Sequence, residues 1–260
     1  MISPLAHVDP SARLGENVTV HPFAFVDANV EIGDGCEIMP YASIVNGTRM
    51  GKNCKVYQGA VVGADPQDFR WNGEQTYCYV GDNVIIREHC IFNRGIHSEG
   101  GTRIGNDCFI MAETHIGHDT VIEGRCVLGN GVKTAGNAVI GSCTILSSAV
   151  IIHEKCRVGE WVLVKGGCRI NSNVPPYTIM AHNPTAYFGI NAVVMRKHGF
   201  SEDQIDDVAK AYRHIYQSGT SLYNALKRVE ADVEPSEVRE NILNFIRGNN
   251  SKIVALPLKA

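Results

Sequence analysis

Residues 104–128 read IGNDCFIMAETHIGHDTVIEGRCVL and place an aliphatic side chain at every sixth position. The series runs Ile104, Ile110, Ile116, Ile122 and Leu128. A small or β-branched residue follows four positions later at Cys108, Thr114, Thr120 and Cys126. Neither the 3.6-residue period of an α-helix nor the two-residue period of a strand produces this spacing. A triangular coil does, because each hexapeptide supplies one flat face and one corner.

The same period extends over most of the first two thirds of the chain. It runs from Val8 to Val62, resumes at Val80, breaks again near Ser98, and continues from Ile104 to Ile170. Aliphatic side chains would fill the interior, while the narrow corners admit only small ones. Gly and Asn near the corners accept positive φ at little steric cost. The pattern predicts an all-β left-handed parallel β-helix of hexapeptide repeats, with about 18 residues to each turn.

A C-terminal α-helical domain follows the repeats. Pro175-Pro176 is expected to close the coil, since proline donates no ladder hydrogen bond. Ser201–Gln204 has the form of a capping box. Three apolar stripes at helical spacing come after it, and their first members are Ile205, Leu222 and Val238. We therefore predict two domains, a catalytic β-helix over residues 1–190 and a helical domain over residues 191–260.

Composition and charge narrow the function classes. The net charge is −3, so nucleic acid is not an expected partner. No apolar run is long enough for a membrane span. The first residues, MISPLAHVDP, lack the features of a signal peptide, which predicts a cytoplasmic protein.

The cysteines follow the repeat. Seven of the nine are expected at small inward positions, as buried thiols in a reducing compartment rather than as disulfides or metal ligands. Cys78 and Cys143 lie outside this register. The inserted segment 64–79, ADPQDFRWNGEQTYCY, has the composition of a binding loop, and a solvated decoration is the alternative.

The segment HIGHD at 115–119 carries the clearest chemical signal. His118 should point outward from the coil, where Asp119 can hold the imidazole tautomer and support a general base. A surface histidine beside an aspartate usually does nothing, so this pair is weak evidence alone. A solvated polar edge is the competing interpretation.

The coil period strengthens the hypothesis. Residues 136 and 154 lie one and two turns beyond 118, so Gly136-Asn137 and His153-Glu154 should stack beside it. His115 and His118 would then cluster with Asn137 and His153 on one outer wall. The Gly136 N–H is a candidate oxyanion donor. A narrow prism holds no internal cavity, so substrate should bind between subunits of a homotrimer.

The chain resembles the bacterial UDP-N-acetylglucosamine O-acyltransferases that begin lipid A biosynthesis, over nearly all of its length. The segments that carry the resemblance are PQDFRWNGE (66–74), IRE and NRG (86–88, 93–95), HIGHD (115–119), AGN (135–137), VPPY (174–177), FGIN and HGFS (188–191, 198–201). The resemblance implies transfer of an (R)-3-hydroxyacyl chain from acyl carrier protein to the 3-hydroxyl of UDP-N-acetylglucosamine. It implies no metal and no cofactor, because the thioester donor is already activated.

The resemblance also assigns residue roles. His118 would be the general base, Asp119 its orienting carboxylate and Gly136 the oxyanion donor. The substrate-binding residues that it implies are Asp68, Arg70, Asn93, His115, Asn137, His153, Glu154, Gly166, Asn191, Arg196 and Lys197. Of these, Gly166 would leave the acyl groove open for a long chain. Arg70, Asn93 and Asn137 depart from the lysine and histidines usual at these places.

Three other functions fit parts of the pattern. The related N-acyltransferase carries an N-terminal uridine-binding domain, for which hexads that begin by Val8 leave no room. A trimeric β-helical carbonic anhydrase would gather three histidines around zinc, which metal analysis would reveal. A non-catalytic scaffold would turn over no thioester.

Overall fold

The computed structural model describes residues 1–97, 100–249 and 252–254. Three faces of parallel strands wind into a triangular prism, and the strands are numbered β1–β27 in chain order. From β1 to β25, consecutive strands fall in different sheets, so the chain visits each face once per turn. The structure is the predicted left-handed parallel β-helix with a C-terminal helical domain, and the fold class is confirmed.

Sheet 1 contains nine parallel strands: β1 (His7–Val8), β4 (Phe25–Val26), β7 (Ser43–Ile44), β10 (Val61–Ala64), β13 (Ile91–Asn93), β16 (His115–Ile116), β19 (Lys133–Thr134), β22 (Ile151–Ile152) and β25 (Arg169–Ile170). Sheet 2 contains eight: β2 (Arg13–Leu14), β5 (Glu31–Ile32), β8 (Thr48–Met50), β11 (Cys78–Val80), β14 (Thr102–Ile104), β17 (Val121–Ile122), β20 (Val139–Ile140) and β23 (Arg157–Val158).

Sheet 3 contains ten strands: β3 (Thr19–Val20), β6 (Glu37–Ile38), β9 (Lys55–Val56), β12 (Ile85–Ile86), β15 (Phe109–Ile110), β18 (Val127–Leu128), β21 (Ile145–Leu146), β24 (Leu163–Val164), β26 (Thr178–Ala181) and β27 (Ala186–Ile190). Among the described strands, only β27 runs antiparallel, against β26. The coil therefore continues past Pro175-Pro176, and the expectation that these prolines close it was wrong. Tyr177, at φ 62°, lies at the corner that leads into β26, which pairs in parallel with β24.

The interior confirms the inward positions. Ile110, Ile116 and Leu128 are fully buried, and Thr114 and Thr120 are buried at the narrow corners. All nine cysteines are free and buried. Cys78 pairs in register with Thr48 and Thr102, so it occupies a regular inward position after all. The insertion that precedes it had hidden the register in the sequence.

Insertions leave the coil at corners and do not disturb the stacking. Val61 pairs with Ile91 across the loop that contains residues 64–77. Ile91 in turn pairs with His115, although 24 residues separate them. Ser98, where the second break is predicted, lies outside the described residues. Neither break in the sequence period shifts the pairing, and strands β10, β13 and β16 stay stacked in sheet 1.

Within the described residues, four helices follow the prism: α1 (Ala192–Lys197), α2 (Glu202–Gln217), α3 (Leu222–Asp232) and α4 (Glu237–Gly248). Ser201 caps α2 with the predicted capping box. The short helix α1 was not predicted, because residues 192–197 are too few for a helical period. Helices α2–α4 bury their apolar faces, and the Tyr212 hydroxyl donates to the Pro176 carbonyl at 2.6 Å. No helix in the described ranges is long and apolar enough to cross a bilayer.

Candidate active site

A pocket of about 270 Å³ opens at the corner where the chain passes from sheet 1 to sheet 2. We call it the corner pocket. Four successive coils and the inserted loop form its wall: Gln67, Asp68, Asn93, His115, Gly117, His118, Thr134, Ala135, Gly136 and Glu154. Six of these are predicted site residues, brought together from both the loop and the coil: Asp68, Asn93, His115, His118, Gly136 and Glu154.

His118 lies at the centre of the corner pocket between two carboxylates. Its Nδ1 is 2.8 Å from Asp119 Oδ2, and its Nε2 is 3.2 Å from Asp68 Oδ2. The side chain points away from the core, as predicted, yet only 8% of it is exposed because the loop covers it. The sequence predicted the outward direction of His118 but not that the loop would cover it. A covered imidazole with fixed partners is better suited to directed proton transfer.

Residues 95 and 96 hold the Asp119 carboxylate in place. The Asp119 φ of 55° puts it in the left-handed region at the corner, and its Oδ2 accepts a hydrogen bond from the Ile96 N–H at 3.1 Å. Gly95 packs against the same carboxylate, since a Cβ there would lie 2.5 Å from Asp119 Oδ1. These contacts fix the carboxylate that faces His118 Nδ1.

Asp68 reaches His118 from the inserted loop, and Arg70 locks it there. Arg70 donates to both Asp68 oxygens, at 2.9 and 2.6 Å, and to Glu154 Oε1 at 3.2 Å. The hydrogen bonds from the Arg70 guanidinium hold the pKa of Asp68 well below its usual range. Asp68 is thus a fixed negative charge, and Arg70 fastens the loop to the coil that carries Glu154.

Residues 118, 136 and 154 stack as the 18-residue turn predicts. The Asn137 N–H donates to the His118 carbonyl at 2.9 Å, and the Lys155 N–H donates to the Gly136 carbonyl at 3.1 Å. The imidazole lies directly over Gly136, where a Cβ would be 2.2 Å from His118 Nε2. Only glycine therefore fits beneath the histidine.

The Gly136 N–H occupies a corner position of the hexad. At the same position in other hexads, the backbone N–H donates to a carboxylate oxygen. Two residues after the inward aliphatic of other hexads, the Lys52 N–H donates to Asp82 Oδ1 at 2.7 Å and the Ser142 N–H donates to Glu123 Oε2 at 3.0 Å. Across the described ranges, no protein acceptor takes the Gly136 N–H. An amide in this geometry can receive a ligand oxygen instead.

A second groove of about 480 Å³ continues from the corner pocket along the outside of sheet 1. His115, Ala135 and Glu154 line both, whereas Lys133 and His153 line only the groove. Burial lowers the pKa of His115, and the charge of Lys133 lowers it further, so His115 is neutral near pH 7. Lys133 was missed by the sequence analysis, although the 18-residue register places it directly beside His115.

Eight predicted residues do not line the corner pocket: Asp119 and Arg70 contact side chains that line it, His153 lines the groove, and the other five bring no side chain to either. Asn137 contributes its backbone rather than its side chain, and Gly166 lies at the corner between sheets 3 and 1. Asn191 is buried and donates to the Trp161 carbonyl at 2.8 Å. Arg196 and Lys197 lie at the end of α1, where Arg196 pairs with Glu202 at 2.6 Å. Gly166, Asn191, Arg196 and Lys197 lie away from the corner that holds His118. A single chain therefore does not test whether they contact substrate.

Comparison with protein families gives two matches. The model described as "Udp N-acetylglucosamine O-acyltransferase; Domain 2" matches residues 173–254. The model described as "Bacterial transferase hexapeptide (six repeats)" matches residues 29–64 and 101–136. The first covers the end of the prism and the helices, and the second covers the repeats on both sides of the inserted loop.

Comparison with individual proteins extends over almost the whole chain. A relative from Alkalilimnicola ehrlichii is 41% identical over 97% of this chain and 98% of its own length. One from Myxococcus xanthus is 43% identical over 95% and 96%. Both are named acyl-[acyl-carrier-protein]–UDP-N-acetylglucosamine O-acyltransferase.

Solved structures agree with this. The UDP-N-acetylglucosamine acyltransferase of Bacteroides fragilis superposes with a TM-score of 0.94 at 42% identity, covering 99% of this chain and 100% of that one. The LpxA structure from Acinetobacter baumannii gives 0.94 at 31% identity, covering 97% and 99%. The repeats, the helical end and the full-length relatives all agree, and this chain belongs to the acyl-[acyl-carrier-protein]–UDP-N-acetylglucosamine O-acyltransferase family.

Proposed function

We propose that this protein transfers a 3-hydroxyacyl chain from acyl carrier protein to the 3-hydroxyl of UDP-N-acetylglucosamine, with His118 as general base. The observation that carries the mechanism is His118 itself, fixed by Asp119 on Nδ1 and lying over the Gly136 amide, for which the described residues provide no acceptor. Membership of the family supplies the substrate class. The corner pocket supplies a base, an orienting carboxylate and an oxyanion donor within one wall.

The two ring nitrogens of His118 have different roles in the proton transfer. With Nδ1–H donating to Asp119, Nε2 is free to take the proton of the sugar hydroxyl as that oxygen attacks the thioester carbonyl. The Gly136 N–H donates to the tetrahedral oxyanion. Collapse of the intermediate breaks the C–S bond, and His118 returns its proton to the departing thiolate. The products are an ester and the free thiol of the carrier, and no external oxidant or reductant is consumed.

Asp68 has two functions in this scheme. Its Oδ2 faces His118 Nε2 at 3.2 Å, the nitrogen that would take the proton. An incoming hydroxyl must take its place on Nε2. The displaced carboxylate then lies beside the sugar, where it can accept a hydrogen bond from a neighbouring hydroxyl. Arg70 and Glu154 keep it within reach.

The outer faces of sheets 1 and 3 support a homotrimer. The outward positions of sheet 3 include Ile85, Phe109, Val127, Ile145 and Leu163, all only partly covered in the single chain. Sheet 1 presents Val61, Ile91 and Ile151 in the same way. Two different apolar faces suit a head-to-tail ring of three copies, in which sheet 1 of each copy meets sheet 3 of the next. The groove beside the corner pocket would then lie between subunits, close enough for the neighbour's Asn191, Arg196 and Lys197 to contribute.

We also propose that this trimer acts in the cytoplasm, at the first step of lipid A biosynthesis. The state of the cysteines supports the compartment, because all nine are free. Unpaired cysteines in this number are typical of a reducing environment.

The test is a transfer assay with UDP-N-acetylglucosamine and hydroxyacyl carrier proteins of graded chain length. His118→Ala should abolish transfer and leave the fold and assembly intact, as judged by circular dichroism and light scattering. The matched control is His21→Ala, which removes another histidine paired with a carboxylate, Glu37 at 3.0 Å, away from the corner pocket. Full activity of His118→Ala would disprove the base, and no turnover of any donor by the unmodified protein would disprove the function.

A further inference from the structure

Arg94 is a buried cation next to the site that no role above explains. Its side chain is 10% exposed, and its Nη1 is 2.6 Å from Asp65 Oδ1 and 3.2 Å from the Gly63 carbonyl. Its guanidinium lies 5.2 Å from the centre of the Trp71 ring. Within the described ranges, its Nε is buried without an acceptor. Burying a cation with an unpaired donor costs folding free energy. A role for Arg94 in positioning its neighbours would explain why that cost is tolerated.

Those contacts bracket Asp68 on both sides. Asp65 precedes Asp68 by three residues, and Trp71 follows it by three. The Trp71 N–H donates to the Asp68 carbonyl at 3.2 Å and closes the turn between them. Arg94 therefore contacts the loop on both sides of Asp68, the carboxylate that reaches His118 Nε2. A backbone hydrogen bond adds to these contacts, because the Arg94 N–H donates to the Ala64 carbonyl at 2.9 Å.

The segment that carries Arg94 also holds the other carboxylate of the site. Gly95 and Ile96 contact the Asp119 side chain directly. Asn93 donates to the Asp65 carbonyl at 2.5 Å. One short segment, residues 93–96, thus sets the position of Asp68 on one side of His118 and of Asp119 on the other.

We propose that Arg94 is a positioning residue that sets Asp68 against His118 Nε2. The proposal rests on the proposed function, because Arg94 acts on the reaction only through Asp68. Lysine would keep the charge but lose the planar fork, which reaches Asp65 and Gly63 while it lies near Trp71. A misplacement of about 1 Å near a reacting group costs on the order of 100-fold in rate. We expect Arg94→Lys to lower kcat/KM by roughly 10- to 100-fold.

A double-mutant cycle separates positioning from a general loss of structure. Arg94→Lys is measured in the unmodified protein and in the Asp68→Ala background, with kcat and KM determined for both substrates. If Arg94 acts through Asp68, the substitution lowers kcat/KM in the first and changes it less than about twofold in the second. The matched control is Arg103→Lys, which alters another arginine over an aromatic ring, Tyr79 at 4.3 Å. It should leave activity unchanged.

Trp71→Leu provides a second route should Arg94→Lys fold poorly. It removes the aromatic face from a partly exposed loop side chain and leaves the prism untouched. It should reproduce the loss in the unmodified protein and show the same insensitivity in the Asp68→Ala background. An equal loss in both backgrounds, or no loss in either, would overturn the proposal. Inactivity of the unmodified protein would instead count against the proposed function.

Discussion

Replacement of Gly136 by alanine tests the stacking of the coils at the reacting groups. The added Cβ would lie 2.2 Å from His118 Nε2 and 2.3 Å from His118 Cε1. Non-bonded heavy atoms are at their best separation near 3.5–4.0 Å, so the imidazole must retreat by about 1 Å or more. That retreat strains its 2.8 Å contact with Asp119. We expect kcat to fall by on the order of 100-fold.

Alanine keeps the amide N–H, so the loss would report displacement of the base and not removal of the oxyanion donor. The structural cost should be moderate, about 1–3 kcal/mol for overpacking. The assay is the initial rate of thiol release from the acyl carrier protein as UDP-N-acetylglucosamine is varied, with thermal unfolding measured in parallel. KM for the sugar nucleotide should change less than kcat.

Gly248→Ala is the control, because among the described residues a Cβ at Gly248, at the end of α4, meets nothing within 4 Å. It should match the unmodified protein in rate and be at least as stable to heat, because alanine favours a helix more than glycine does. A Gly136→Ala variant with unchanged kcat and a native fold would refute the reasoning. It would show that the imidazole does not need its place over residue 136.

Two further predictions concern the loop and the assembly. Arg70→Met should raise the pKa of Asp68 towards the ordinary aspartate value of about 3.9, because Arg70 is the main cause of its lowering. Since the folded pKa is the lower one, the pair stabilises the protein above about pH 4 and loses that effect as the pH falls through the folded value. Carboxyl NMR titration measures the shift, and an unchanged Asp68 would contradict this origin. Val127→Glu, on the outer face of sheet 3, should convert a trimer to folded monomers in size-exclusion light scattering. Arg103→Glu on sheet 2 should not, and a Val127→Glu trimer would exclude that face from the interface.

The repeat made the fold predictable from the sequence, and the reason is its short period. Each hexad specifies its own inward residues, as Ile110 and Ile116 do, and each coil covers the next, so local pattern and global fold coincide. The same register placed Gly136 and Glu154 beside His118 without any structural information. It failed only where the count was interrupted, as at Cys78.

The contacts made by the inserted loop were not predictable in this way. Residues 64–77 follow no period, so nothing in their spacing shows that Asp68 reaches His118 or that Arg94 holds both sides of the turn. The resemblance named Asp68 and Arg70 as substrate-binding residues, but their pairing with each other and with Glu154 is three-dimensional information. The covered state of His118 has the same origin, because the loop buries it.

The stacking of residues 118, 136 and 154 limits how the length of this chain can change. A deletion of one coil between Asp119 and His153 would remove a layer and keep the remaining faces aligned. A deletion of any other size would rotate everything beyond it onto a different face and carry Glu154 away from the histidine. Extra residues are admissible only where the chain can bulge from a corner and return, as it does between β10 and β11. Lengths within the catalytic coils should therefore vary in whole turns, whereas the corners can accept segments of any length.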